Sequence, residues 1–327
     1  MPSETTRVMS SMTCSAYRLC CALPALLALV IGTAQAATPY RPAYIDEPFL
    51  CRAHPLPAVV QHLTGEAWKL DAKGGAQPLL EGMSIDEQEG VKTSTSAFVS
   101  LRLGDGSSVV LPSSSQVRLH WVEKQAIPQV ILEQGQVETY VIKRASDYDR
   151  FQIVTPVGVL GVRGTHFRVR NDGEQSVLEV LNGQVAVNRA ASNAAAEVKV
   201  DARQGLLIRQ QGELKPVALL PAPVLIGQDG QKGQSPVWSL YLRPLPGAQR
   251  YRAQVATDSA FMNIKQENFS SEPKMRFTGL KASFYHVRLS AYDAQGLEGE
   301  TGVYDIFYYP PATQAQASGC LLYTSDA

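Results

Sequence analysis

From Val59 to about Ile208, apolar and polar residues alternate in short runs split by glycine turns. The run "AFVSLRL" sets Ala97, Val99, Leu101 and Leu103 on one face and Phe98, Ser100 and Arg102 on the other. That period of two is the signature of a strand. "VRLHW", "VETYV", "FQIVT", "HFRVR" and "VLEVL" predict further strands. The Asp-Gly pairs in "GDGS" (104–107) and "NDGE" (171–174) predict tight hairpin turns. No segment sustains a 3.6-residue period, so the region predicts an all-β fold. A weak echo links "LEQGQVET" (132–139) to "VLNGQVAV" (180–187), each a strand, a glycine turn and a second strand. It points to one unit used more than once, as in a β-roll or short solenoid.

Residues 216–236 are rich in Pro, Gly and Gln and mark a boundary. Beyond it, "PVWSLYL", "YRAQVAT", "MRFTGL", "YHVRLSAYD" and "VYDIFYY" have the strand spacing of a small sandwich. At the other end, Arg7 and Arg18 precede the apolar run "LCCALPALLALVIG", and small residues follow up to Ala36. This is the layout of a secretory signal peptide cut after Ala36. The run is shorter than the roughly 20 residues that span a bilayer, which favours cleavage over anchoring. The expected organisation is therefore a signal peptide over 1–36, a linker over 37–58, a β domain over 59–210, a linker over 211–234, a sandwich over 235–310 and a disordered or artefactual tail over 311–327. The expected location is the periplasm or cell surface, with no membrane span left after signal cleavage.

Composition narrows the function. Thirty basic and thirty acidic residues give a formal net charge of zero, which argues against a nucleic-acid surface, since that needs a concentrated positive field. Only Cys51 and Cys320 lie beyond the signal segment, too few for a disulfide scaffold. The five histidines, His54, His62, His120, His166 and His286, show no metal-ligand spacing. No nucleophile elbow or Ser-x-x-Lys signature occurs, and "GDGSS" lacks the lysine and helix of a phosphate loop. The chain is expected to be non-enzymatic, with no metal and no cofactor.

Several residues stand out as candidates. In "TPVGVLGVRGTHFRVR" (155–170), glycines allow a tight turn beside Arg163. The Arg163 guanidinium could fork onto a carboxylate or phosphate of a partner. Its planar donors also suit the unpaired carbonyls of a tight turn, the structural role favoured here. Gly164 is expected to need positive φ or close packing. Thr165, Phe167 and Val169 point one way along the next strand, and His166, Arg168 and Arg170 the other. That basic face is read as a solvated strand face or as a docking edge for an acidic partner. In the second unit, Trp238 and Tyr285 are expected in the core. Tyr308 and Tyr309 are candidates for stacking on sugars or for a sheet-edge contact.

Two resemblances follow. Residues 59–208 resemble the FecR-type periplasmic domain. They share Gly65, Trp68, Gly82, Gly90, Thr93, "LRLGDGSSVVLP" and Gly135 with it, and then "FQIVTPVGVLGVRGTHFRV", with Thr155, Pro156, Gly161, Val162, Arg163, Gly164, Thr165 and Phe167 in place, followed by Gly183 and "ARQG" (202–205). Residues 235–309 resemble a fibronectin type III-like sandwich through Trp238, Tyr251, Leu280, Tyr285 and "LSAYDAQGLEG". The first family includes membrane-spanning regulators that relay a signal from an outer-membrane receptor to a cytoplasmic sigma factor. Only 18 residues precede Leu19, too few for the cytoplasmic domain such a relay needs. Other members are exported and pair this domain with a LysM module, which residues 37–58 are too short to hold. The resemblance implies an exported scaffold or signalling accessory with an envelope protein partner. The alternative is a peptidoglycan- or polysaccharide-binding protein.

Overall fold

The computed structural model describes residues 57–122, 127–143, 151–162, 164–190, 197–231 and 237–309. The expected signal peptide, the tail and Arg163 lie outside them. The described chain is all-β. Its strands are β1 (Ala58–Thr64), β2 (Ala67–Leu70), β3 (Ala76–Pro78), β4 (Ser84–Ile85), β5 (Gly90–Thr93), β6 (Phe98–Arg102), β7 (Ser108–Leu111), β8 (Gln116–Val122) and β9 (Ile127–Tyr140). Then come β10 (Phe151–Val154), β11 (Gly158–Val162), β12 (His166–Asn171), β13 (Gln175–Asn182), β14 (Gln184–Arg189), β15 (Val198–Asp201), β16 (Gln204–Arg209) and β17 (Val217–Ala218). The third group is β18 (Leu225–Gln231), β19 (Val237–Leu242), β20 (Arg250–Ala256), β21 (Ile264–Ser270), β22 (Lys274–Thr278), β23 (Ser283–Tyr292) and β24 (Gly302–Tyr308).

The first seventeen strands wind as a short two-sheet roll. One layer, the inner sheet, runs β4–β1–β6–β7–β9–β12–β13–β16–β17. The other, the outer sheet, runs β3–β2–β5–β8–β9–β10–β11–β14–β15. Beyond β9 the chain places successive hairpins alternately in the outer and inner sheets. Between the layers lies one apolar core that includes Val99, Leu101, Leu119, Leu132, Phe151, Leu160, Phe167, Leu178 and Leu206. Its members are the alternate residues of the strand patterns, as a two-layer domain requires.

Two of the crossings between layers are carried by glycines in the same Gly-Gln-Val setting. Residues 127–134 of β9 pair in the outer sheet, while residues 135–140 pair in the inner one. Gly135, at the switch, has φ +84°, and a Cβ there would sit 2.4 Å from the Ser114 carbonyl oxygen. Gly183 has φ +88° where β13 of the inner sheet passes into β14 of the outer one, and its Cβ would meet Thr165 Cγ2 at 2.5 Å. Left-handed backbone in so close an approach admits only glycine. The echoed "QGQV" and "NGQV" are thus the same device, a sheet switch.

The last seven strands form two facing sheets, β18–β19–β22 and β21–β20–β23–β24. Trp238, Leu240, Tyr251, Val255, Phe277, Tyr285, Val287 and Leu289 fill the space between them. Of residues 211–234, expected as a linker, β17 pairs with the roll and β18 with the sandwich. No helix among the described residues is long and apolar enough to cross a membrane.

Candidate functional site: a sealed ionic interface

The roll and the sandwich belong to one compact unit. They meet through the outward face of the inner sheet and the outward face of β20–β23. Phe98, Val110, Ala256, Phe261 and Ile264 pack together at one flank. Val177, Leu219 and Leu297 pack at the other. Between these flanks lies a buried network of charge.

Glu138 projects from β9 beside His166 of β12. His166 Nε2 lies 2.6 Å from Glu138 Oε1, and its ring stacks on Tyr140 with centroids 4.0 Å apart. Arg288 of β23 donates to both Glu138 oxygens, at 2.6 and 2.7 Å, and lies over the Phe261 ring at 4.6 Å. Gln254 accepts from Arg288 Nε at 3.0 Å and donates to Glu267 at 2.9 Å. Arg252 pairs with Glu267 and reaches Glu298 at 2.9 Å. Arg168 Nη1 lies 2.8 Å from Glu298 Oε1, while its Nη2 donates to the carbonyls of Glu298 and Gly299. Glu179 accepts from the Glu298 backbone N–H at 3.0 Å and lies 3.9 Å from Arg168 Nε.

The electrostatics follow from this geometry. Burial by itself pushes the Glu298 carboxyl up, but Arg168, Arg252 and the Ser290 hydroxyl outweigh it and hold the group at about 2. Burial also opposes ionisation of Glu138, where Arg288 and His166 win and keep it well below the usual carboxylate range. Glu179 is the exception: burial dominates over Arg168 and Arg170, and its carboxyl rises to about 7. Below about pH 7, where Glu179 keeps its proton, the carboxylates of Glu138, Glu267 and Glu298 balance the guanidiniums of Arg168, Arg252 and Arg288. Such sealed pairs contribute little net stability over apolar packing, because desolvation offsets attraction. A wrong docking angle would strand several charges without partners, so the network fixes register.

Of the basic strand face, Arg168 meets Glu298 of the sandwich, whereas His166 meets Glu138 of the neighbouring roll strand. His166 and Arg168 are two of the network's central groups; Arg170 sits at the rim and donates to the Gly296 carbonyl at 2.7 Å. The turn residues act locally. Thr155 Oγ1 donates to the Gly158 carbonyl and accepts from the Gly158 N–H, each at 3.1 Å, with exposed Pro156 between them. Gly161 pairs with Gln152 and Ala186 in the outer sheet. Gly164 has φ +64°, and a Cβ there would lie 3.0 Å from the Lys143 Cα. Thr165 is buried and accepts the Val141 N–H through its carbonyl; Phe167 is in the core. Tyr308, a candidate for stacking on sugars, is 4% exposed and stacks on Trp238 at 4.7 Å, whereas Tyr309 is 71% exposed. The strand alternation that aims Tyr309 outward aims Tyr308 into the sandwich, so the two do not form one platform.

Sequence reasoning missed Glu138, Glu179, Arg252, Glu267, Arg288 and Glu298. One signal was present: Glu138 in "VETYV", Glu179 in "VLEVL" and Arg288 in "YHVRLSAY" each place a charge in mid-strand among apolar neighbours.

The profile of the family described as FecR protein matches residues 89–186, so this stretch is a FecR family domain. It holds β5 to β13 and the Glu138, His166, Arg168 and Glu179 side of the network. No curated protein matches the chain. Among solved structures, a candidate anti-sigma factor from Parabacteroides distasonis ATCC 8503 is similar at 19% identity, covering 39% of this chain and 59% of its own, with a TM-score of 0.34. The extracellular domain of a candidate hybrid two-component system from B. thetaiotaomicron is similar at 12% identity, covering 77% of this chain and 37% of its own, with a TM-score of 0.18. The chain thus spans little more than half the length of the first of these structures.

Proposed function

We propose that this chain is an exported, non-enzymatic signalling accessory of the periplasm. It works by protein–protein contact, presenting a FecR domain and a fibronectin type III-like sandwich as one rigid piece. The FecR match over residues 89–186 carries the reading. The sandwich assignment is supported by its division into three and four strands. It is also supported by Tyr285, whose hydroxyl donates to the Lys281 carbonyl at 3.0 Å, in the manner of a tyrosine corner. A non-enzymatic role fits the sealing of the charge cluster, since Glu138, Glu179 and Glu298 side chains are 4%, 1% and 2% exposed and cannot reach a substrate. Polysaccharide binding through a Tyr308–Tyr309 pair loses support from the burial of Tyr308.

The test is affinity capture of the full chain from crosslinked envelopes of its host, read by mass spectrometry and repeated from the partner's side. The expected result is one envelope protein recovered in both directions. Recovery of wall fragments or polysaccharide alone overturns the proposal.

A further inference from the structure

An open groove runs along the seam between roll and sandwich. Two clefts, of about 440 and 490 Å³, share Phe269 as a lining residue. In the second cleft the Arg250 guanidinium lies over the Phe269 ring at 4.1 Å, and that of Arg170 lies over Tyr292 at 5.8 Å. The two rings are 6.3 Å apart, so two guanidiniums sit on neighbouring aromatic faces. The first cleft adds Lys265 and Arg276. Stacking on a ring holds a guanidinium ready for a ligand at low entropic cost.

These four cations differ from the others nearby. Arg118, Arg168, Arg252 and Arg288 each meet a carboxylate. Among the described residues, Arg170, Arg250, Lys265 and Arg276 form no ion pair. The groove's own carboxylates are already engaged. Glu267 is held by Arg252 and Gln254, and Asp293 accepts the backbone N–H groups of Gln295 and Leu297. Accepting backbone N–H groups does not cancel the charge of Asp293, so the groove sets four cations against that one carboxylate, a local positive excess in a chain whose formal net charge is zero. Its wall is built from β21 and β22, which are tied together where Gln266 donates to the Thr278 carbonyl at 2.7 Å.

We infer that the groove takes an extended acidic peptide segment of a partner protein. Its carboxylates meet Arg170 and Arg250 at one end and Lys265 and Arg276 at the other. The planar fork of arginine suits carboxylate oxygens in pairs. This inference rests on the protein–protein reading above and specifies the partner's chemistry.

The experiment uses the full chain and a fluorescein-labelled peptide of alternating glutamate and threonine, followed by fluorescence anisotropy. A lysine–threonine peptide and polygalacturonate are the comparison probes. The glutamate peptide is expected to bind, to weaken with added salt, and to lose about tenfold or more in affinity in an Arg250→Ala, Arg276→Ala double variant. Both side chains are exposed, so melting is expected to stay unchanged. Equal binding by the double variant, equal binding of the lysine peptide, tighter binding of polygalacturonate or no binding each overturns the inference. A double variant that still captures the same envelope protein sinks the groove while leaving the accessory role standing. Failure of capture in the parent chain sinks that role independently of the peptide measurement.

Discussion

Glu138 and Arg288 stand 150 residues apart in sequence and meet through two hydrogen bonds of 2.6 and 2.7 Å in a site closed to solvent. The pair joins a FecR domain strand to a sandwich strand. Removing one partner leaves a buried charge stranded, so Arg288→Ala is expected to cost about 3–5 kcal/mol. Replacing both at once, as Glu138→Leu with Arg288→Met, is expected to recover most of that loss, since packed apolar groups of similar volume often serve equally well. Urea unfolding of the parent chain and the two variants checks this.

Stability should depend on pH in two limbs. Glu179 has its folded pKa raised to about 7 from an ordinary 4.5. Between these values the unfolded chain gives up its proton while the folded chain keeps it, so stability falls as pH rises and levels off above about 7. Glu298 is shifted the other way, to about 2, so its contribution is full above about 4.5 and is lost as pH falls toward 2. Glu138, also lowered, adds to that acid limb. Melting temperature should thus peak near pH 4.5 to 5. Glu179→Gln should flatten the limb toward neutral pH and leave the acid limb in place, as a pH series by calorimetry would show.

The sheet switch in β9 should resist any side chain. Gly135→Ala places a methyl group 2.4 Å from a backbone oxygen at φ +84°. The expected cost is more than the ~1 kcal/mol that such a change brings where only the backbone preference is violated. Gly173 also has positive φ, +97°, but no atom lies within 4 Å of its would-be Cβ, so Gly173→Ala should cost only the backbone strain. The difference in unfolding midpoint between the two variants isolates the steric part.

Tyr285→Phe removes one hydroxyl, which donates to the Lys281 carbonyl at 3.0 Å, while keeping the ring against Trp238 at 6.2 Å. The expected loss is about 0.5–1.5 kcal/mol, read from denaturant midpoints at constant m-value.

The alternating runs forecast the strands well because a strand half buried against a core must alternate. β6 shows both the reach and the limit of that logic. Val99 and Leu101 lie in the roll core as expected, yet Phe98 and Ser100, on the opposite face, are buried too. The sandwich covers them, and no local pattern records which distant strand will do so. His166, Arg168 and Arg170 were legible as one basic face for the same reason of period two, but not the carboxylates that meet it.

What the sequence by itself determined is the all-β class, the strands, the hairpin turns, the repeated Gly-Gln-Val switch and the FecR domain. Each depends on residues close in the chain or on backbone conformations only glycine adopts. What only the tertiary structure decided is the joining of two β layers to a sandwich through Glu138, Arg168, Glu179, Arg252, Arg288 and Glu298. The mid-strand places of Glu138, Glu179 and Arg288 are legible locally, but which charge meets which has no local signature. Their pairing exists because the docked faces exclude water and leave each of them no other partner.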